Sequence, residues 1–376
     1  MKKILFITGT RADFGKIKRL MRYVDGHPDM ELHVLVTGMH MMKLYGATHL
    51  EVRRENFKNI YLVANQYSGE PMCSILGTTI SVIARIADDV EPDMLVVHGD
   101  RLEALAGATV GALSNTLVCH IEGGELSGTI DDLIRHSVSK LAHIHMVANQ
   151  EARQRLIQMG EDERNIYIIG SPDLDVMSAA DLPDIDVVKQ HYGIRFGEYA
   201  VSLFHPVTTE EDDALDHALS YFRALKESGH DYVVIYPNND TGSRSILDAL
   251  VMHEGYEKFA AFPSVRFEYF LTLLKHASFI IGNSSAGVRE APFYGVPSVN
   301  VGTRQSRRFF GPSVTNCGYG TAEILEAIAA ARQKGRTSPS VWFGDGDSVS
   351  KFARALDCEH FWHTPVQKPF VDARLR

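Results

Sequence analysis

Residues 4–16 read ILFITGTRADFGK: a short apolar run, a polar loop flanked by Gly9 and Gly15, and the beginning of a helical pattern. An uncharged run of this length ending in glycine suits a strand buried on both faces, and the helix after it has to cross back over the sheet. This is the first half of a βαβ unit. Short apolar runs recur at 32–36, 94–97, 117–121, 144–147 and 167–169, each followed by a Gly- or Ser-containing turn and a helical stretch. The recurrence predicts an α/β domain built on one doubly wound parallel sheet.

After Gly170-Ser171-Pro172 the pattern resets, and the acidic, Pro-containing Asp181-Leu182-Pro183-Asp184 marks a linker or surface loop. A second set of runs follows at 199–204, 232–236, 279–281 and 298–301. Two Rossmann-like halves joined near Gly170 predict a cleft between them, with ligand-binding groups just past the carboxyl ends of the strands. The stretch 348–356 reads as a helix that returns to the first domain.

The arithmetic agrees with two domains, since 376 residues exceed the ~100–200 of an ordinary one. A hydrophobic share of 45% and a charged share of 23% exclude disordered, collagen-like and coiled-coil chains. The net charge of −9 argues against nucleic acid or an anionic membrane as a general partner, while a local basic pocket for a small anion stays open. Cys73, Cys119, Cys317 and Cys358 form no C-x-x-C pair, so neither a zinc site nor a disulfide framework is signalled. The first apolar run breaks at Thr8-Gly9, too early for a signal peptide, and no stretch reaches the ~18 apolar residues of a membrane span. A soluble, cytoplasmic protein is expected.

The loop Gly9 to Lys16 could hold phosphate on free backbone N–H groups, but two familiar motifs do not fit it. A P-loop needs four residues between its glycines and Ser or Thr after the Lys; here five intervene and Ile17 follows Lys16. A nicotinamide fingerprint needs a second glycine where Arg11 stands, and the second strand ends in Thr37-Gly38 without an acid for the ribose. Arg11 and Lys16 are left as anion ligands or as solvated loop charges.

Two further strands end in His98-Gly99-Asp100-Arg101 and in His120-Ile121-Glu122-Gly123-Gly124-Glu125, and Asp131-Asp132 opens the next helix. Taken singly, each acid has an ordinary explanation: a helix cap for Asp131 or Asp132, an ion pair with Arg101 for Asp100. Three acids converging on one sheet edge point instead to acid/base chemistry, because neighbouring carboxylates raise one another's pKa and let one hold a proton while another is ionised. His98, His120, His143 and His145 read as hydrogen-bonded structural histidines rather than metal ligands.

In the second half, Ser284 and Ser285 offer hydroxyls and N–H groups after a strand, a phosphate site or a plain serine cap. Glu290 lies further along the expected helix, where it could accept from the two hydroxyls of a ribose. His205-Pro206, Pro237-Asn238-Asn239-Asp240-Thr241-Gly242 and Gly302-Thr303-Arg304-Gln305 add polar groups to the same strand edge.

These motifs, in this order and over nearly the whole chain, resemble the hydrolysing UDP-N-acetylglucosamine 2-epimerases of sialic acid biosynthesis. The resemblance implies a GT-B-like fold and conversion of UDP-N-acetylglucosamine and water to N-acetylmannosamine and UDP. It implies catalytic roles for Asp100, Glu122 and Asp131. Arg11, Arg101, His205, Asn238, Val265, Ser284, Ser285, Glu290 and Arg304 would hold the nucleotide. The acids would belong to residues 1–170, rejoined by 348–376, and UDP binding to residues 171–347. No cofactor and no metal are implied, and a homo-oligomer, dimer or tetramer, is. Alternatives are a diacetamido-trideoxyglucose nucleotide as substrate, a non-hydrolysing epimerase, a glycosyltransferase on the same double fold, and a silent nucleotide-sugar sensor.

Overall fold

The computed structural model describes residues 1–127, 130–179, 182–238, 240–253, 255–306 and 311–372. Asp181 of the expected linker and Asn239 lie outside the described residues. The chain divides into two compact units, one comprising Met1–Glu125, Asp131–Ser178 and Trp342–Arg376, the other Leu126–Ile130 and Ala179–Val341.

The first unit carries a seven-stranded sheet of β1 (Lys2–Thr8), β2 (Met30–Val36), β3 (Asn59–Leu62), β4 (Met94–His98), β5 (Leu117–Ile121), β6 (Ile144–Val147) and β7 (Ile166–Ile168). Every pairing is parallel and the spatial order is β3-β2-β1-β4-β5-β6-β7, so the direction of winding reverses between β1 and β4. Ile4, Leu5 and Phe6 are wholly buried, as a central strand covered by helices on both faces requires.

The second unit repeats the plan with β8 (Ala200–Leu203), β9 (Tyr232–Ile235), β10 (Phe259–Phe262), β11 (Ile280–Gly282), β12 (Ser298–Val301) and β13 (Val314–Cys317). Its order, β10-β9-β8-β11-β12-β13, is again parallel throughout and reverses between β8 and β11. Tyr221, Phe222, Tyr232 and Phe279 fill its core. The α/β class with two Rossmann-like units read from the sequence is the class observed.

Three strands fall outside the expected set, β3, β10 and β13. Each is an edge of its sheet, four residues long and largely half-buried.

The first unit extends past the Gly170 turn because the helix Asp173–Met177 packs on the helix Arg11–Asp25, fastened by Lys16 Nζ at 3.1 Å from Asp173 Oδ2. Lys16 is therefore a buried ion-pair member, not a solvated loop charge. The chain rejoins this unit at Trp342, ahead of residue 348, where the Phe343 carbonyl accepts from Ser171 N at 2.7 Å. Phe352 and Leu356 of the helix Ser348–Leu356 then enter the first unit's core. Among the described residues no helix is long and apolar enough to cross a membrane.

Beyond that helix, Lys368 donates to the carbonyls of Lys140 (2.8 Å) and Ala142 (2.7 Å) at the end of the helix Ile130–Leu141, and contacts Glu161. Glu161 also meets His145 Nε2 at 3.0 Å and Lys140 Nζ at 2.9 Å. Burial alone would raise its pKa, but the His145 hydrogen bond and the Lys368 charge reverse this and pull it down to about 2. A depressed carboxylate stabilises the fold fully above its ordinary value and loses that contribution as pH falls through the folded one. Stability is accordingly expected to drop as pH falls from about 4.5 toward 2, and Glu161→Gln should flatten that slope in urea-unfolding midpoints.

Candidate active site

In the first unit the polar groups gather past the carboxyl ends of β1, β4 and β5. Thr10 caps the helix Arg11–Asp25 by accepting from Asp13 N at 3.1 Å. The Asp13 carboxylate turns back: Oδ2 accepts from Thr8 Oγ1 (2.7 Å) and Gly9 N (3.1 Å), while Oδ1 lies 2.8 Å from His98 Nδ1. The other ring nitrogen of His98, Nε2, lies 3.2 Å from Glu122 Oε2. Ser171, just past β7, donates from its hydroxyl to Glu122 Oε1. Glu122 is buried, its amide donates to the Met146 carbonyl at 2.9 Å, and its φ of 64° puts a non-glycine residue in the left-handed region. Such a conformation costs on the order of 1 kcal/mol or more, and it persists because the surrounding bonds fix it.

Burial would favour neutral His98, but the Glu122 charge and the contacts with Asp13 and Glu122 outweigh it and push the imidazole up to about 10. His98 thus lies between two carboxylates that favour its protonated form. The other three histidines fit the structural reading. His120 lies 3.0 Å from Ser139 Oγ and 2.9 Å from the Gly99 carbonyl, and burial pushes it down to about 3. His143 and His145 are likewise lowered by burial.

Asp100 accepts from Arg135, thirty-five residues further along the chain. Arg135 is buried, and its Nη1 also reaches the Glu125 carbonyl at 3.4 Å. It ties the Asp100 loop to the helix Ile130–Leu141, whose first turn holds Asp131 and Asp132. Asp131 is half-buried there. Arg11 meets Glu51 at 2.8 Å, and Arg101 lies 3.9 Å from Glu103 Oε2. Both cations thus sit beside acids of their own unit.

In the second unit, Asn283 after β11 is the hub. Its side chain accepts from His205 N (2.7 Å) and donates to the His205 carbonyl (2.8 Å), while its own carbonyl accepts from Arg304 Nη1 (3.3 Å) and Gln305 Nε2 (2.9 Å). Asn238 N donates to His205 Nδ1 at 3.1 Å. The loops after β8, β9, β11 and β12 are thereby joined, bringing His205, Asn238 and Arg304 together.

Ser284 accepts from Ala286 N at 3.3 Å and caps a single 3-10 turn, Ser285–Gly287; the chain then re-forms a one-turn helix at Glu290–Phe293. The continuous helix expected from 284 onward is interrupted by Arg289 at φ −113°, ψ −67°, so Ser284 and Ser285 do not sit at a full helix terminus. Glu290 is buried, and Val265 is buried in the segment between β10 and the helix Phe267–His276.

The sequence reading missed working roles for Asp13, His98, Arg135, Ser171 and Asn283. Asp13, His98 and Ser171 lie inside the motifs quoted above and Arg135 and Asn283 beside them, but their partners are distant in sequence: His98 with Asp13 is 85 residues apart, and Ser171 with Glu122 is 49. Among the described residues no group of three or more His, Cys, Asp or Glu side chains is placed to hold a metal ion.

The model of the UDP-N-acetylglucosamine 2-epimerase family matches residues 22–357. A UDP-N-acetylglucosamine 2-epimerase of Neisseria meningitidis serogroup B is 57% identical over 378 residues, covering 100% of both chains. Polysialic acid biosynthesis protein P7 of Escherichia coli is 33% identical, covering 87% of this chain and 85% of its own. The hydrolysing UDP-N,N'-diacetylbacillosamine 2-epimerase of Legionella pneumophila is 32% identical over 95% and 96%. Among solved structures, the Methanocaldococcus jannaschii UDP-GlcNAc 2-epimerase with UDP-GlcNAc and UDP superposes with a TM-score of 0.80 at 19% identity, covering 94% of this chain and 99% of that one. A Neisseria meningitidis UDP-GlcNAc 2-epimerase bound to UDP-GlcNAc does so with a TM-score of 0.77 at 18% identity and the same coverage.

Replacing Asn283 by Ala strips partners from the His205 amide and carbonyl together. Each unsatisfied buried group costs ~1–3 kcal/mol, so Asn283→Ala is expected to lower the unfolding midpoint clearly, measured against wild type by calorimetry.

Proposed function

The chain belongs to the UDP-N-acetylglucosamine 2-epimerase family, and from that premise we propose that it is a hydrolysing UDP-N-acetylglucosamine 2-epimerase, converting UDP-N-acetylglucosamine and water to N-acetylmannosamine and UDP for sialic acid synthesis. The observation that carries this reading is the 57% identity over the full chain to a UDP-N-acetylglucosamine 2-epimerase. Kinship with a polysialic acid biosynthesis protein supports the destination of the product. A relative whose name specifies hydrolysis supports release of the free sugar.

The proposed chemistry explains the acids. A sugar C2 proton is scarcely acidic, so inversion is easier once UDP begins to leave and C1 takes on oxocarbenium character. The C1–O bond to UDP breaks, the C2 proton is taken by a carboxylate, and the C2–H electrons form the double bond of 2-acetamidoglucal. Water then adds at C1, and a proton returned to C2 on the opposite face gives the manno epimer. We assign this proton traffic to Asp100, Glu122 and Asp131. Arg11, Arg101, His205, Asn238, Val265, Ser284, Ser285, Glu290 and Arg304 are assigned to the nucleotide, the cations stabilising the diphosphate as it departs. No cofactor enters the scheme. Four free cysteines fit a reducing compartment, the cytoplasm, and a homo-oligomer, dimer or tetramer, is expected from the resemblance.

The 32% identity to a hydrolysing diacetylbacillosamine 2-epimerase makes that sugar nucleotide the second substrate to try. In deuterated water, NMR should show free N-acetylmannosamine deuterated at C2 together with UDP; recovery of UDP-N-acetylmannosamine would point to the non-hydrolysing reaction. Asp100→Asn and Glu122→Gln should each cut kcat by ~100-fold or more while UDP affinity, read by calorimetry, stays within a few-fold.

A further inference from the structure

The contact chain Asp13–His98–Glu122–Ser171 goes beyond the assignment of three acids as a group. Glu122 is buried and backbone-strained where Asp100 and Asp131 are half-buried, and it meets the Ser171 hydroxyl at Oε1 and the His98 ring at Oε2. Resting on the function proposed above, we propose that Asp13 and His98 are positioning residues. The Asp13–His98 pair clamps Glu122 as an aimed, ionised carboxylate and so gives it, among the three acids, the acceptance of the C2 proton.

The physical case starts from charge. A buried carboxylate without a counter-charge takes up a proton instead, and a protonated Glu122 could not accept one from the sugar. His98 supplies the counter-charge at 3.2 Å, and Asp13 at 2.8 Å keeps the ring oriented and cationic. Two nearby histidines do not compete for that role. His120 in β5 is held neutral by burial, at about 3. His40, whose Nε2 lies 3.2 Å from the Thr8 hydroxyl that serves Asp13, is lowered by burial to about 4. The resting cluster holds two carboxylates and one imidazolium. When Glu122 takes the C2 proton, the electron pair of that C–H bond stays with the forming C1=C2 bond as UDP leaves, and the cluster becomes one carboxylate, one imidazolium and one carboxylic acid.

The two members of the clamp should move opposite limbs of the pH profile. His98→Gln removes the counter-charge, so the Glu122 pKa rises and the acid limb of kcat/KM moves to higher pH. Asp13→Asn removes a stabiliser of the imidazolium, so His98 loses its proton nearer neutrality and the alkaline limb moves to lower pH. Both should lower kcat by about tenfold or more with UDP affinity little changed. Limbs that stay in place in both folded variants, with kcat falling only as far as the folded fraction falls, would overturn the proposal. An activity-free readout runs beside it: in 15N-histidine-labelled wild type, His98 should remain doubly protonated at about pH 8 and lose that state in Asp13→Asn. A neutral His98 ring in wild type would equally sink the clamp. Absence of any sugar product from the wild-type protein would instead count against the proposed function, and the NMR titration would still decide the state of His98.

Discussion

The constraint on which everything else depends is that every strand in each sheet runs parallel. Parallel strands deliver all their carboxyl ends to one edge, so residues that follow different strands in sequence become neighbours in space. Thr8, His98 and Ile121 end β1, β4 and β5, and the residues just beyond them, Gly9 to Asp13, Asp100 and Glu122, are gathered without any long loop. The same rule in the second unit gathers His205, Asn238, Asn283 and Arg304. An antiparallel sheet would have split each set between two opposite edges. The strand-order reversals at β1/β4 and at β8/β11 leave room at those edges, since helices depart to opposite faces there.

A second constraint follows, because such an edge buries charge. Buried charges persist when paired, and the first unit pairs each with a partner of definite chemistry: Lys16 with Asp173, Arg135 with Asp100, His98 with Asp13 and Glu122. Those pairs also join elements. Arg135 ties a helix to the β4 loop, and Lys16 keeps the helix Asp173–Met177 with the first unit. Hydrogen bonds through Asn283 do the same work in the second unit, where neutral groups suffice to hold the loops.

The central strands and the motifs after them were legible because a strand buried on both faces leaves an uninterrupted apolar run, followed by glycine and polar residues. Edge strands β3, β10 and β13, four residues long and largely half-buried, were not. At the site, the residue types and their strand ends could be read, while their pairings could not. His98 is indistinguishable in sequence from His120, yet one faces two carboxylates and the other a hydroxyl and a carbonyl. The stretch after β11 failed for a local reason: Ser284 to Glu290 carries helix-starting residues, but the chain turns twice instead of running on.

What separates Asp100 from Glu122 is therefore the nature of the partner. A guanidinium never gives up its proton, so Arg135 can hold Asp100 in place and neutralise it but cannot change with it. An imidazole can gain or lose a proton, so the group opposite Glu122 is one whose charge can change, and Asp13 lies on its other nitrogen. Two carboxylates at the ends of adjacent strands, alike in sequence, thus meet different electrostatics. A reaction that removes a proton from one face of a carbon and returns one to the other needs that inequality, because two equivalent acids would share a proton rather than pass it in one direction.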